Sequence, residues 1–253
     1  MTESVRARIY PEVRFGGFSR RDGTVAFFTR VASLITPTSR ILDYGCGVGA
    51  HIDADEAFAA SLQRLKGRGA EVIGVDFDGA AASNPNIDRF VPTSGGAIPL
   101  ESGSVDVCVS HWGLEHFEDV SQFFDECLRV LAPGGYLCLR TPNLLHYSSL
   151  GAWIVPFRFH HALRRMLGYF HTEADVFPTL YRCNTRGRLA RTMRRHGFDA
   201  EVIRHRGESH TIGVGYAAGL AGELIERVSP PVFWHELHAF GRKPPVPAAN
   251  RAS

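Results

Sequence analysis

The chain has 253 residues, 44% hydrophobic and 21% charged, with a formal net charge of +2. That length suits one sizeable domain with additions, and the near-neutral balance sets up no global field for nucleic acid. No uninterrupted apolar run nears the ~20 residues of a membrane-spanning helix. No basic-then-apolar leader opens the chain, and five cysteines (Cys46, Cys108, Cys127, Cys138, Cys183) form neither a CxxC pair nor a regular framework, so a reducing cytoplasm is the expected setting.

The first residues read as loose, and Phe15–Thr24 as a polar, glycine-bearing segment. Val25, Phe28, Val31 and Leu34 or Ile35 then recur at helical spacing, with Thr24 near the start and Pro37 at the end. Ile41–Tyr44 predicts a buried strand running into the turn Gly45-Cys46-Gly47-Val48-Gly49. A helix is expected from Gly49 toward Lys66, closed by Gly67 and Gly69. Glu71–Val75 is a second strand ending at Asp76, followed by polar, proline-marked chain to Pro99.

Val105–Ser110 predicts a strand by its β-branched content. Val120, Phe123, Phe124, Cys127, Leu128 and Leu131 predict a helix, Pro133-Gly134-Gly135 a turn, and Tyr136–Arg140 a strand. From Leu144 to about Tyr181 the texture changes to aromatics and histidines. Asn184 or Thr185 then caps a helix with Leu189 and Met193 inward, stopped by Gly197. Phe198–Ile203 and Phe233–Phe240 read as strands, and Pro244–Ser253 as a disordered tail. Strand and helix alternate as in βαβ units, which implies a mostly parallel, covered sheet.

Gly45, Gly47 and Ala50 satisfy G-x-G-x-x-G/A, a pattern that a dinucleotide site shares. Asp43, two residues before the first glycine, argues for a different ligand. A pyrophosphate needs the turn free of negative charge, whereas a cofactor with an amino group and a sulfonium gains from a carboxylate there. Asp76 can accept ribose hydroxyls from either.

The chain resembles class I S-adenosylmethionine-dependent methyltransferases, over roughly Ile41–Asn143. The carriers are Leu42–Gly49, Ile73–Asp78, Ile98-Pro99-Leu100 with Ser104–Ser110, Leu114-Glu115-His116, and Leu128–Leu137. The resemblance implies an α/β, Rossmann-like, mostly parallel seven-stranded sheet with helices on both faces and an inserted helical lid. It divides a single methyltransferase domain into an N-terminal helical cover (1–36), a cofactor-binding core (37–143), a lid or substrate insertion (144–184), C-terminal helix and strands (185–243) and a tail (244–253). Gly45, Cys46 and Gly47 would pass beneath the methionine part of S-adenosyl-L-methionine, or of the product S-adenosyl-L-homocysteine, with Asp43 near the amino group. Asp76 would bind the ribose, Phe77 would lie on the adenine, and Ala97 and Ile98 would border its other side. Ser110 and Trp112 would line the methionine and sulfonium end. Many relatives carry an acid just before Ile98-Pro99-Leu100; Thr93–Ala97 here has none.

Methyl transfer needs an aligned acceptor and, for an oxygen or nitrogen nucleophile, often a base. His116 is the first candidate, because it follows the strand ending at Ser110 and so sits near the ligand-binding edge. His111 and Glu115 are weaker ones. No HExxH or comparable cluster appears, so no metal is expected. The acceptor is expected to be a small molecule from a glycan, glycolipid or secondary-metabolite pathway, as in bacterial relatives of unassigned substrate. His111, His146, Tyr147, His171 and Tyr181 are candidate substrate contacts, with Arg182 beside them. Phe159, Ala162, Leu163, Met166, Leu167 and Phe170 form one helical stripe with three readings: a lid, core or homodimer packing, or a peripheral membrane contact. The basic helix Arg186–Arg195 reads as a solvated face, not a nucleic-acid site. Two rival functions remain: a NAD-dependent oxidoreductase, and a non-catalytic cofactor-binding partner.

Overall fold

The computed structural model describes residues 4–49, 57–94, 96–154 and 178–246. Seven strands form one sheet in the order β3-β2-β1-β4-β5-β7-β6. They are β1 (Arg40–Tyr44), β2 (Glu71–Asp76), β3 (Arg89–Pro92), β4 (Val105–His111), β5 (Leu131–Pro142), β6 (Asp199–His205) and β7 (Glu236–Arg242). β7 pairs antiparallel with both β5 and β6, and every other pairing is parallel. The order reverses between β1 and β4, and in open parallel sheets a crevice opens at the carboxyl ends of such a pair.

Alternation along the strands sorts the core onto two faces. Leu42, Tyr44, Ile73, Val75 and Cys108 pack with Phe123, Phe124 and Cys127 of α4 (Val120–Val130) and Leu189 and Met193 of α6 (Arg186–Arg195). Ile41, Val72, Val107, Val109 and Cys138 pack on the other face with Phe27, Phe28 and Val31 of α2 (Gly23–Leu34). Burial of each large apolar side chain contributes roughly 1.5–3 kcal/mol before chain entropy is counted. All five cysteines are buried and free.

Several expectations need correction. The N-terminus is not loose: Ser4 caps α1 (Val5–Ile9), and Arg6 pairs with Asp22 at 3.0 Å and Glu208 at 2.9 Å. Asp22 caps α2, accepting from the Val25 N–H, with Thr24 in its first turn. The polar chain before Pro99 contains the edge strand β3, which the proline at its end and its four-residue length concealed. Pro133-Gly134-Gly135 does not separate helix from strand. It bulges within β5, whose register against β4 shifts between Val105 and Val107. β7 starts at Glu236 rather than Phe233, because Pro230-Pro231 holds a short 3-10 turn ahead of it. A helix absent from the sequence reading, α7 (Tyr216–Val228), packs Gly219 against Ile9 and Gly222 against Ser209 and Thr211.

Among the described residues helix α3 covers Ala57–Gln63 and ends before Lys66, and α5 (Tyr147–Ile154) opens the expected insertion. Ala50, the Phe159–Phe170 stripe, His171 and residues 247–253 lie outside the described residues. Among the described residues no helix is long and apolar enough to cross a membrane, and no group of three or more His, Cys, Asp or Glu side chains is placed to hold a metal.

Candidate cofactor and active site

The chain leaves β1 at Tyr44 and turns back through three glycines in the left-handed region, Gly45 at φ 76°, Gly47 at 49° and Gly49 at 74°. A side chain there would be strained. Cβ atoms placed on Gly45 and Gly47 would meet nothing within 4 Å, so the turn presents bare backbone to open space. Gly49 differs: its Cβ would strike Asn84 at 2.5 Å. Asn84 in turn donates to the carbonyls of Cys46 at 2.8 Å and Gly47 at 3.1 Å, which fastens the turn from behind.

Two carboxylates flank this turn. Asp76, buried at the end of β2, accepts from the Gly47 N–H at 2.9 Å through one oxygen and from the Asp78 N–H at 3.0 Å through the other. Each oxygen keeps further lone-pair capacity. Asp43 has no cationic partner among the described residues; burial first and the nearby Asp76 charge second push its pKa up to about 7. A pyrophosphate placed here would add like charge to two acids, whereas an ammonium would relieve their repulsion. The arrangement therefore suits an amino-acid-bearing adenosyl cofactor and disfavours a dinucleotide. Phe77 follows Asp76 and is 69% exposed, the presentation a stacking face needs.

Across the crevice, the peptide at Ile98 is fixed by α4. Glu126 accepts the Ile98 N–H at 2.7 Å, and Arg129 donates to the Ile98 and Leu100 carbonyls at 2.7 Å each. The Ile98 amide is thus committed, and Ala97 beside it is exposed. The sequence reading missed Glu126 and Arg129. Their i,i+3 spacing on a helix was visible, but not the peptide they hold.

At the end of β4, Ser110 is buried and its hydroxyl has no hydrogen-bond partner among the described residues, an orphaned polar atom at the crevice. Gly113 leaves it room, since a Cβ there would lie 2.9 Å from Ser110 Oγ. Trp112 sits at φ 56°, with its N–H on the Arg140 carbonyl at 2.9 Å. Its ring meets the Arg140 guanidinium at 4.9 Å and His235 at 5.7 Å. A cation of the protein's own thus already meets this aromatic ring.

His116 stands on a short 3-10 turn beyond β4. Its Nδ1 bonds the Pro178 carbonyl at 2.9 Å. A carbonyl only accepts, so Nδ1 carries the proton and Nε2 the lone pair. Burial lowers the His116 pKa below 6.5, with the Pro178 bond opposing, so the ring is neutral at pH 7. Glu115, buried beside it, is raised to about 7 by desolvation, with Thr141 as its hydrogen-bond donor at 3.0 Å. Asn184 donates to Thr141 at 2.6 Å, and the Glu115 carbonyl accepts the N–H groups of Leu180 and Tyr181. This ties the chain after residue 177 to the site. Tyr181 is buried at φ 49°, beside His116 through its backbone.

Two expected substrate contacts are placed elsewhere. His111 has the strand parity of Val109, so its ring lies under α2, 5.2 Å from Phe28, and accepts from Arg140 at 3.0 Å. His146 is 1% exposed and bonds Glu226 of α7 at 2.7 Å. His146 is interior, and His111 is half-buried. Tyr147, 42% exposed at the start of α5, stays accessible.

Residues 42–139 match the family described as Methyltransferase domain. A probable S-adenosylmethionine-dependent methyltransferase of Mycolicibacterium smegmatis is 35% identical over 113 residues, covering 43% of this chain and 40% of that one. An uncharacterized methyltransferase of Mycobacterium sp. strain KMS is 36% identical over 143 residues, 54% of this chain and 48% of that one. The matched stretches thus span about half the length of these relatives, or less. A SAM dependent methyltransferase from Archaeoglobus fulgidus superposes with a TM-score of 0.54 at 18% identity, covering 92% of this chain and 97% of that one. A second, from Mesorhizobium loti, gives 0.53 at 19% identity, covering 87% and 98%. These two likenesses show a shared fold. Residues 42–139 thus match a methyltransferase domain, and the strand order and the open glycine turn between two acids are similar to those of class I S-adenosylmethionine-dependent methyltransferases.

Proposed function

We propose that the protein transfers the methyl group of S-adenosylmethionine to an oxygen or nitrogen of a small molecule, with His116 as the base. The observation that carries this reading is the pair Asp43 and Asp76, a doubly acidic turn with no cation of its own among the described residues. The cofactor supplies an activated methyl on a sulfonium; the chain supplies position and proton handling. Asp76 orients a ribose through the two oxygens that Gly47 and Asp78 hold in place. Asp43 pairs with the amino group. Ser110 offers its orphaned hydroxyl at the methionine end.

The neutral His116 takes the acceptor's proton at Nε2 while Nδ1 stays on Pro178. Glu115, with its pKa near that of an imidazole, lies 3.9 Å from Nε2 and stabilises the imidazolium that forms. Calorimetry is the test. The chain should bind S-adenosylhomocysteine and not NAD. Binding of NAD alone would select the oxidoreductase rival. Release of S-adenosylhomocysteine during an acceptor screen separates an enzyme from a binding partner.

A further inference from the structure

Helix α6 carries five arginines in ten residues. Arg186 donates to the Val202 carbonyl at 2.9 Å, and Arg194 to the Ala200 carbonyl at 2.8 Å and to Glu201. These close the helix onto β6. Arg188 and Arg195, seven residues apart, line a cavity of about 290 Å³ between α6 and the first turn of α4, and Arg195 also borders a second cavity lined by Arg186, Arg191 and Arg194. Arg182 joins them there, with His196, Ser121 and a single acid, Glu118. None of the three arginines forms an ion pair among the described residues. His196 is held in place by Asp125 at 2.6 Å and Ser121 at 3.3 Å.

Three guanidiniums around one concavity repel one another, and a bound dianion relieves that repulsion. The guanidinium fork matches a phosphate in both charge and geometry. Two of its lining residues are near the reaction centre along the chain: Glu118 is two residues beyond His116, and Arg182 is four beyond Pro178, the residue whose carbonyl holds that histidine. At no more than ~3.6 Å per residue, their backbones lie within about 7 Å and about 14 Å of those residues.

We infer that this cavity binds the phosphate of the methyl acceptor, so that the acceptor is a small phosphate monoester. This rests on the methyl-transfer reading above. The other use of such charge, along a nucleic-acid strand, calls for a continuous basic track, whereas three of the arginines here line one concavity of a size for a small anion.

The test is titration of the full chain with inorganic phosphate and with glycerol 3-phosphate at fixed ionic strength, followed by arginine side-chain NMR. Both should bind saturably. Arg188→Ala and Arg195→Ala should each weaken binding about tenfold, as loss of a charge-assisted hydrogen bond does. Arg191→Ala removes the same charge from the same helix but from a residue that lines only the second cavity, and should leave binding unchanged. No saturable response, an equal loss in Arg191→Ala, or a response to a single-stranded oligonucleotide alone would overturn the assignment. S-adenosylhomocysteine binding is read in the same samples. A chain that binds it but not phosphate overturns only the acceptor class. A chain that binds phosphate but not S-adenosylhomocysteine overturns methyl transfer, and the acceptor role with it.

Discussion

The same edge of the sheet carries two acidic centres built on opposite plans. At β1 and β2, Asp43 and Asp76 stand together with only backbone N–H groups for support. At β7, Glu236 is gripped by Arg140 through two bonds of 2.8 Å, with His238 at 2.9 Å and His235 at 3.4 Å. Burial favours protonation at both places, but only at Glu236 do Arg140 and the two histidines outweigh it and hold the carboxyl well below its ordinary range. Charge neutralised internally serves the scaffold, joining β5, β7 and α2. Charge left without a counterion within the described chain serves a ligand.

The largest effect should come from breaking the neutralised centre. Arg140→Ala leaves Glu236 buried without its main partner and also removes the donor to Thr24 and His111. A loss of about 3–5 kcal/mol in urea unfolding is expected. Replacing Arg140 and Glu236 together with apolar residues should recover most of it. If the double variant is no better than the single, the pair is not the cause.

Next in size is His116→Ala, expected to lower turnover about 10²-fold, the low end of what a positioned base contributes, with S-adenosylhomocysteine affinity intact. The native pH–rate profile should fall on acidification with an inflexion below 6.5, because burial lowers the His116 pKa. A flat profile would remove His116 from the chemistry.

Asp76→Ala should weaken S-adenosylhomocysteine binding by about 10–100-fold, roughly the 1.5–3 kcal/mol of hydrogen bonds to a charged group, and it also unpins the Gly47 amide. Calorimetric affinity within twofold of native would undo the ribose assignment.

What the sequence disclosed follows the same division. The open centre was legible because its parts are local: an acid, alternate glycines and a second acid at the end of the next strand. The neutralised centre was not, because Arg140 and Glu236 are 96 residues apart and meet only through an antiparallel pairing. His146 looked like a substrate contact for the same reason, its partner Glu226 lying 80 residues on. The commitment of the Ile98 amide to Glu126 depends on how α4 packs, which periodicity cannot give. Edge strand β3 is too short to display a period, and glycines weakened the helical signal of α7.

The smallest expected effect is also the one that tests the comparison from inside. Asp43 has a folded pKa of about 7 against an ordinary 3.8, so the folded chain binds that proton more tightly than the unfolded chain does. Its contribution to stability therefore falls as pH rises from about 4 through 7, the reverse of a salt-bridged acid. Asp43→Asn removes the charge and should stabilise the ligand-free protein above pH 7 by about 1 kcal/mol after discounting for partial exposure, or about 2–4 °C in melting temperature. Near pH 4 the gain should vanish. The same variant should bind S-adenosylhomocysteine more weakly, because the carboxylate that destabilises the empty turn is the one that holds the amino group. A stability gain equal at pH 4 and pH 8 would mean that packing rather than charge explains it, and Asp43 would then belong with Glu236 as scaffold.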